Sequence, residues 1–130
     1  MKMKMNNILI EQSENSPKVI MDQEIALIEF EGRSYPENAF AFYRPITEWL
    51  KKYFKFYDKN SQRITINFKF LYFNSATTQI IFEILDIIEE SGIEGIDIYW
   101  FYDKASQNGF EDYEDYSDEF PELNIQAVAY

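Results

Sequence analysis

The chain has no cysteine and no histidine. Without cysteine there is no disulfide, no thiol nucleophile and no thiolate metal ligand. Without histidine, a Ser-His-Asp triad, an imidazole general base and the common zinc sites are excluded together. Glycine is scarce at 4 residues, none of them spaced as G-x-G-x-x-G or as a P-loop, so no backbone cradle for a nucleotide phosphate is present. Basic residues are outnumbered, 12 Lys and Arg against 23 Asp and Glu, for a net charge of -11. Nucleic-acid binding needs a basic footprint, and an anionic membrane surface would repel such a chain too. No apolar run reaches the roughly 20 residues of a membrane span. The opening "MKMKMNNILIEQ" lacks both the apolar core and the cleavage site of a secretory leader. The expectation is a cytoplasmic protein with no cofactor, no metal, no nucleic-acid partner and no membrane contact.

What is present is a core. The 130 residues are 46% apolar and 18% aromatic, enough for one domain spanning 1–130. The acidic surplus can steer basic or mixed protein surfaces toward the chain, or serve solubility alone. Residues 1–16 supply only a short edge strand, "NILIEQ", and a polar loop. "KVIMD" and "IALIEFEG" read as a hairpin turning near Asp22 and Gln23. "RSYPENAFAFYRPITEWLKKYFKF" reads as a long helix. Ser34 and Glu37 have capping-box spacing, Pro36 fits a first turn, and Ala39, Tyr43, Ile46, Leu50 and Tyr53 form an apolar stripe. Pro45 should kink or split that helix near Ala41.

"QRITINFKFLYF" alternates, with Ile64, Ile66, Phe68, Phe70 and Tyr72 on one face. Leu71 and Phe73 then make the opposite face apolar, which predicts a central strand covered on both sides at its C-terminal end. "TTQIIFEILDIIEESG" is a second helix burying Ile81, Ile84, Leu85 and Ile88 and stopping at Gly92. "GIDIYWFYD" is a strand, with Trp100 as a core aromatic like Trp49 before it. "SQNGFEDYEDYSDEF" is a weaker, acidic helix with Phe110, Tyr113 and Tyr116 inward, and "LNIQAVAY" a closing strand. The order β-β-β-α-β-α-β-α-β predicts an α/β fold. Its single mixed sheet is largely parallel in the centre, with an N-terminal hairpin and helices packed against it.

The junction between the central strand and the second helix runs Asn74, Ser75, Ala76, Thr77, Thr78. Two readings stand here. Asn74 or Ser75 is an N-cap, worth roughly 1 kcal/mol. Alternatively a hydroxyl is displayed for phosphorylation, where unpaired N–H groups and the helix dipole favour an anion. Tyr35 and Asn38 serve as a helix start and, if the first helix begins at the same sheet edge, border this loop. Glu111, Asp112, Glu114, Asp115, Asp118 and Glu119 suit a solvated helix face, a partner-docking surface, or a carboxylate-based hydrolase if they converge. Their spacing does not match a calcium loop.

Three segments resemble the SiaC family of regulatory phosphoproteins: "GRSYPENAFAFYRPITEWL", "LYFNSATTQIIFEILDIIEE" and "IDIYWFYD". The family's G-x-S-Y-P-E-N falls at Gly32, Ser34, Tyr35, Pro36, Glu37 and Asn38, and its P-x-x-x-W-L at Pro45, Trp49 and Leu50. Its Y-(F/L)-N-(T/S)-S falls at Tyr72, Phe73, Asn74 and Ser75, and its W-x-Y-D at Trp100, Tyr102 and Asp103. The likeness runs from about Pro17 to the end. It implies a fold like that of STAS-domain anti-sigma-factor antagonists and a non-enzymatic, partner-switching role. It further implies a Ser/Thr kinase, a PP2C-type phosphatase, and an effector such as a diguanylate cyclase that binds the unmodified form. The implied phosphoacceptor is Ser75, with Thr77 and Thr78 as fallbacks, and the implied partner surface is Asn74, Ala76, Thr77, Tyr35 and Asn38. The chain departs from the family in having Ser where the acceptor is usually Thr, and Ala76 where Ser is expected. The rival to this reading is a constitutive acidic adaptor in which Ser75 is only part of a cap.

Overall fold

The computed structural model describes residues 4–130; the part of the N-terminal loop expectation that falls on 1–3 lies outside them. Six strands form one sheet in chain order: β1 (Ile8–Ile10), β2 (Lys18–Asp22), β3 (Leu27–Ser34), β4 (Ile64–Phe73), β5 (Ile96–Tyr102) and β6 (Gln126–Ala129). The first three pair antiparallel, and β3 to β6 pair parallel. Helices α1 (Ala39–Lys55), α2 (Ser75–Ser91) and α3 (Gln107–Glu119) make the parallel crossovers, and a short 3-10 turn (Pro121–Leu123) precedes β6. Right-handed crossovers that all step in one direction place the three helices on one face of the sheet. The expected element order and mixed sheet are therefore the observed ones.

The core lies between that face and the helices. Ile28 and Phe30 of β3, Ile64, Ile66 and Phe68 of β4, and Ile98 and Trp100 of β5 meet the stripe Ala39, Tyr43, Ile46, Leu50 and Tyr53 of α1. They also meet Ile81, Ile84, Leu85 and Ile88 of α2. An unbroken ladder of rings, Phe30–Phe68 at 5.5 Å and Phe68–Trp100 at 5.5 Å, runs across the three central strands.

Three local expectations change. First, Ser34 and Glu37 do not cap α1; Asn38 does, its side chain accepting from the Ala41 N–H at 3.1 Å. Ser34 ends β3 and is fully buried. Second, α1 runs unbroken through Pro45. Pro45 and Ala41 both lie on the exposed side, so water can serve the carbonyl that the proline leaves unpaired. Third, β4 does not alternate to its end. Gly32 pairs with Phe70 but Arg33 pairs with Tyr72, so Leu71 is an extra residue in a bulge. Gly32 supplies the unusual backbone on the β3 side, with φ of 115°. The bulge turns Tyr72 out with Leu71 and returns Phe73 to the inner face, where its ring meets Trp100 at 6.0 Å. Leu71 and Tyr72 are 61% and 51% exposed, so this end of β4 is covered on one side only.

Candidate functional site

The Asn74–Ser75 junction sits at the carboxyl edge of the parallel strands, where the crossover helices begin. Asn74 is extended (φ -89°, ψ 180°) and is the N-cap of α2. Its side-chain oxygen accepts from the Thr77 N–H at 3.0 Å, and its carbonyl accepts from the Thr78 N–H at 3.0 Å. The choice left open by the residue pattern falls to Asn74, which satisfies the cap alone. Ser75 is the first helical residue, exposed, and its hydroxyl has no hydrogen-bond partner among the described residues. The backbone N–H groups of Ser75 and Ala76 come before the first intrahelical bonds of α2 and point out of the helix start. No acidic side chain occupies the first turn.

A buried hydroxyl triad holds this junction in place. Ser34 Oγ lies 2.7 Å from the Tyr43 hydroxyl and 2.9 Å from Thr77 Oγ1, which donates to the Ser34 carbonyl at 3.1 Å. The Asn74 N–H donates to that same carbonyl at 3.1 Å. One residue at the end of β3 thus ties α1, α2 and the end of β4 together. Burial pushes the Tyr43 phenol up to about 12, and the Ser34 bond only partly offsets it, so the triad stays neutral.

The other expected residues divide. Tyr35 packs edge-on against Tyr72 at 5.8 Å, so it does border the Ser75 loop. Asn38 is exposed at the start of α1, on the same edge. Ala76 is half-buried against the core. Thr77 corrects the expectation: at 0% exposure, with its hydroxyl engaged by Ser34, it is neither a surface residue nor a reachable fallback acceptor. Thr78 is half-buried and donates to the Asn74 carbonyl at 3.2 Å. The exposed side of α2 is polar, with Gln79, Asp86, Glu89 and Glu90. Exposed apolar surface beside the helix start comes from Leu71 and Tyr72, which line one cleft with Ser75.

Residue pattern alone missed a cleft of about 600 Å³ between the starts of α2 and α3. Ser75, Asn74 and Thr78 form one side. Glu111, Asp112 and Asp115, with Asp103 from the loop before α3, form the other, over a floor that includes Phe73 and Trp100. The signal for it was the strand-helix topology, which sets two helix starts side by side at one edge. Partial burial raises the Asp112 carboxyl above its ordinary value, and the Asp115 and Glu111 charges add to the rise. Glu114, Asp118 and Glu119 point to solvent. Among the described residues no three carboxylates converge as a metal would require.

Comparison with known proteins bears on the family and the fold. The family pattern described as SiaC family regulatory phosphoprotein matches residues 10–130. An uncharacterised protein of Pseudomonas aeruginosa strain UCBPP-PA14 is 24% identical over 127 residues, covering 95% of this chain and 98% of its own. The crystal structure of apo-SiaC from Pseudomonas aeruginosa superposes with a TM-score of 0.80 at 22% identity, covering 96% of this chain and 98% of that one. A SiaC chain in a crystal structure with the diguanylate cyclase SiaD, of which it is the activator, superposes with a TM-score of 0.78 at 22% identity, covering 95% and 99%. Matched along nearly its whole length, the chain belongs to the SiaC family of regulatory phosphoproteins.

Proposed function

We propose that this protein is a non-enzymatic partner switch, phosphorylated on Ser75 by a Ser/Thr kinase and restored by a PP2C-type phosphatase. In its unmodified form it binds a downstream effector, a diguanylate cyclase by analogy with the SiaC–SiaD complex. The observation that carries the reading is the division of labour at the junction: Asn74 does the capping, which leaves the Ser75 hydroxyl exposed and unengaged. A phosphate there meets the free N–H groups and the positive end of the α2 dipole, so adding it does not unwind the helix. It adds about -1.5 to -2 charges beside Leu71 and Tyr72. A partner that covers those side chains would have to desolvate the phosphate, which is how modification would exclude it.

The test is intact-mass measurement after incubation with ATP and a candidate kinase from the same genome. One phosphate should be gained by the native chain and none by Ser75→Ala. Uptake by Ser75→Ala would move the site to another hydroxyl, and no uptake by the native chain would favour the constitutive adaptor. Binding to the effector should survive Ser75→Ala and be lost on phosphorylation.

A further inference from the structure

The cleft beside Ser75 has a one-sided charge. Asp103, Glu111, Asp112 and Asp115 line it, and among the described residues no lysine or arginine does. Ser75 and Asp112 face each other by position: the Tyr116 hydroxyl lies beside Thr78, Asp112 is one turn before Tyr116, and Ser75 nearly one turn before Thr78. In the unmodified chain the start of α2 offers Asp112 and its neighbours a positive helix end. A phosphate on Ser75 would take up that end and reverse the field that the α3 carboxylates meet.

Glu111 and Asp112 stand on the half of α3 that is held less firmly, with Asp115 at its end. Ser106 makes no side-chain cap bond. Residues 107–114 contain no fully buried side chain; they rest on Phe110, itself 40% exposed, against Tyr102 at 5.4 Å, and on the half-buried Tyr113, whose hydroxyl donates to the Ile125 carbonyl at 3.1 Å. The other half is anchored: Tyr116 is 3% exposed and meets Phe82 at 4.9 Å and Trp100 at 5.0 Å, and Phe120 is 4% exposed.

We propose that phosphate on Ser75 repels the acidic wall of α3 and loosens its first two turns from the sheet edge, so that the switch changes the shape of the protein as well as its charge. This rests on Ser75 being the modified residue in vivo, but its test does not need the kinase. Phosphoserine can be installed at position 75 by amber suppression and amide hydrogen exchange compared with the native chain. Exchange over 107–114 should rise on the order of tenfold and fall back at high salt, with 116–120 and α2 unchanged. In an Asp112→Asn/Asp115→Asn background the rise should vanish. Unchanged exchange over 107–114, or a rise that persists in the neutralised background, would overturn the proposal. Neither result bears on whether a kinase modifies Ser75, which the mass experiment decides separately.

Discussion

Helices α2 and α3 start at the same sheet edge and follow parallel strands, yet they are held in opposite ways. The start of α2 is capped by Asn74 and tied down by the buried Ser34–Tyr43–Thr77 triad. The start of α3 has Ser106 in an extended conformation with no side-chain cap bond, and its packing is concentrated at the far end. The proposed modification of Ser75 suits the first kind of start, because an added charge would be presented at a defined place. An element that responds needs the second kind, because local opening follows where buried contacts are few.

The largest break in this contrast is expected at the anchored end of α3. Tyr116→Ala removes a ring wedged between Phe82 and Trp100 and should cost about 3 kcal/mol or more in urea unfolding. Phe110→Ala, on the loose half, should cost well under half of that. Next comes the triad: Thr77→Val removes one of two partners of the Ser34 hydroxyl and one of two donors to the Ser34 carbonyl, and should cost about 1–1.5 kcal/mol. A matched pair of cap substitutions then compares the two starts directly. Asn74→Ala should lose about 1 kcal/mol, whereas Ser106→Ala should lose no more than a few tenths.

The smallest effect is electrostatic. The raised Asp112 carboxyl makes the folded state hold its proton more tightly than the unfolded chain does. Its contribution therefore favours folding at low pH and is lost as pH rises from 3.8 through its folded value. Asp97 behaves in the opposite way. Hydrogen bonding to Arg63, at 2.8 and 2.9 Å, holds it below the ordinary value, so what it contributes is present above 3.8 and lost as pH falls through its folded value. Carboxyl carbon titration by NMR should place Asp112 above and Asp97 below the ordinary range. Asp112→Asn should leave stability at neutral pH equal or higher, and Asp97→Asn should lower it slightly.

Element order was readable because apolar spacing of 2 and 3.6 residues reports which side of a strand or helix meets the core. The stripes of α1 and α2 follow from that spacing, and the stop of α2 from the glycine at 92, which takes the left-handed backbone of a C-cap. The misread positions share one cause: each has two uses that satisfy local rules equally. Ser34 has capping-box spacing, but its hydroxyl is spent inside the core on Tyr43 and Thr77, residues 9 and 43 positions away. Thr77 looks like one of four small polar residues in a loop, and only the packing of α2 on β3 buries it. Alternation sets Leu71 and Tyr72 on opposite faces, and a single extra residue opposite Gly32 puts both outside.

By itself the sequence determined the class of the fold, the helix and strand inventory, the acidic character and the absence of thiol or imidazole chemistry, since these depend on residue type and near-neighbour spacing. Tertiary structure alone decided which hydroxyl at the junction faces water and which is buried. It also decided that Asn74 rather than Ser75 takes the cap, and that carboxylates about 40 residues further along the chain face Ser75 across a cleft. Those outcomes depend on how strands pair and helices dock across long stretches of chain, a cooperative choice that no short window of residues contains.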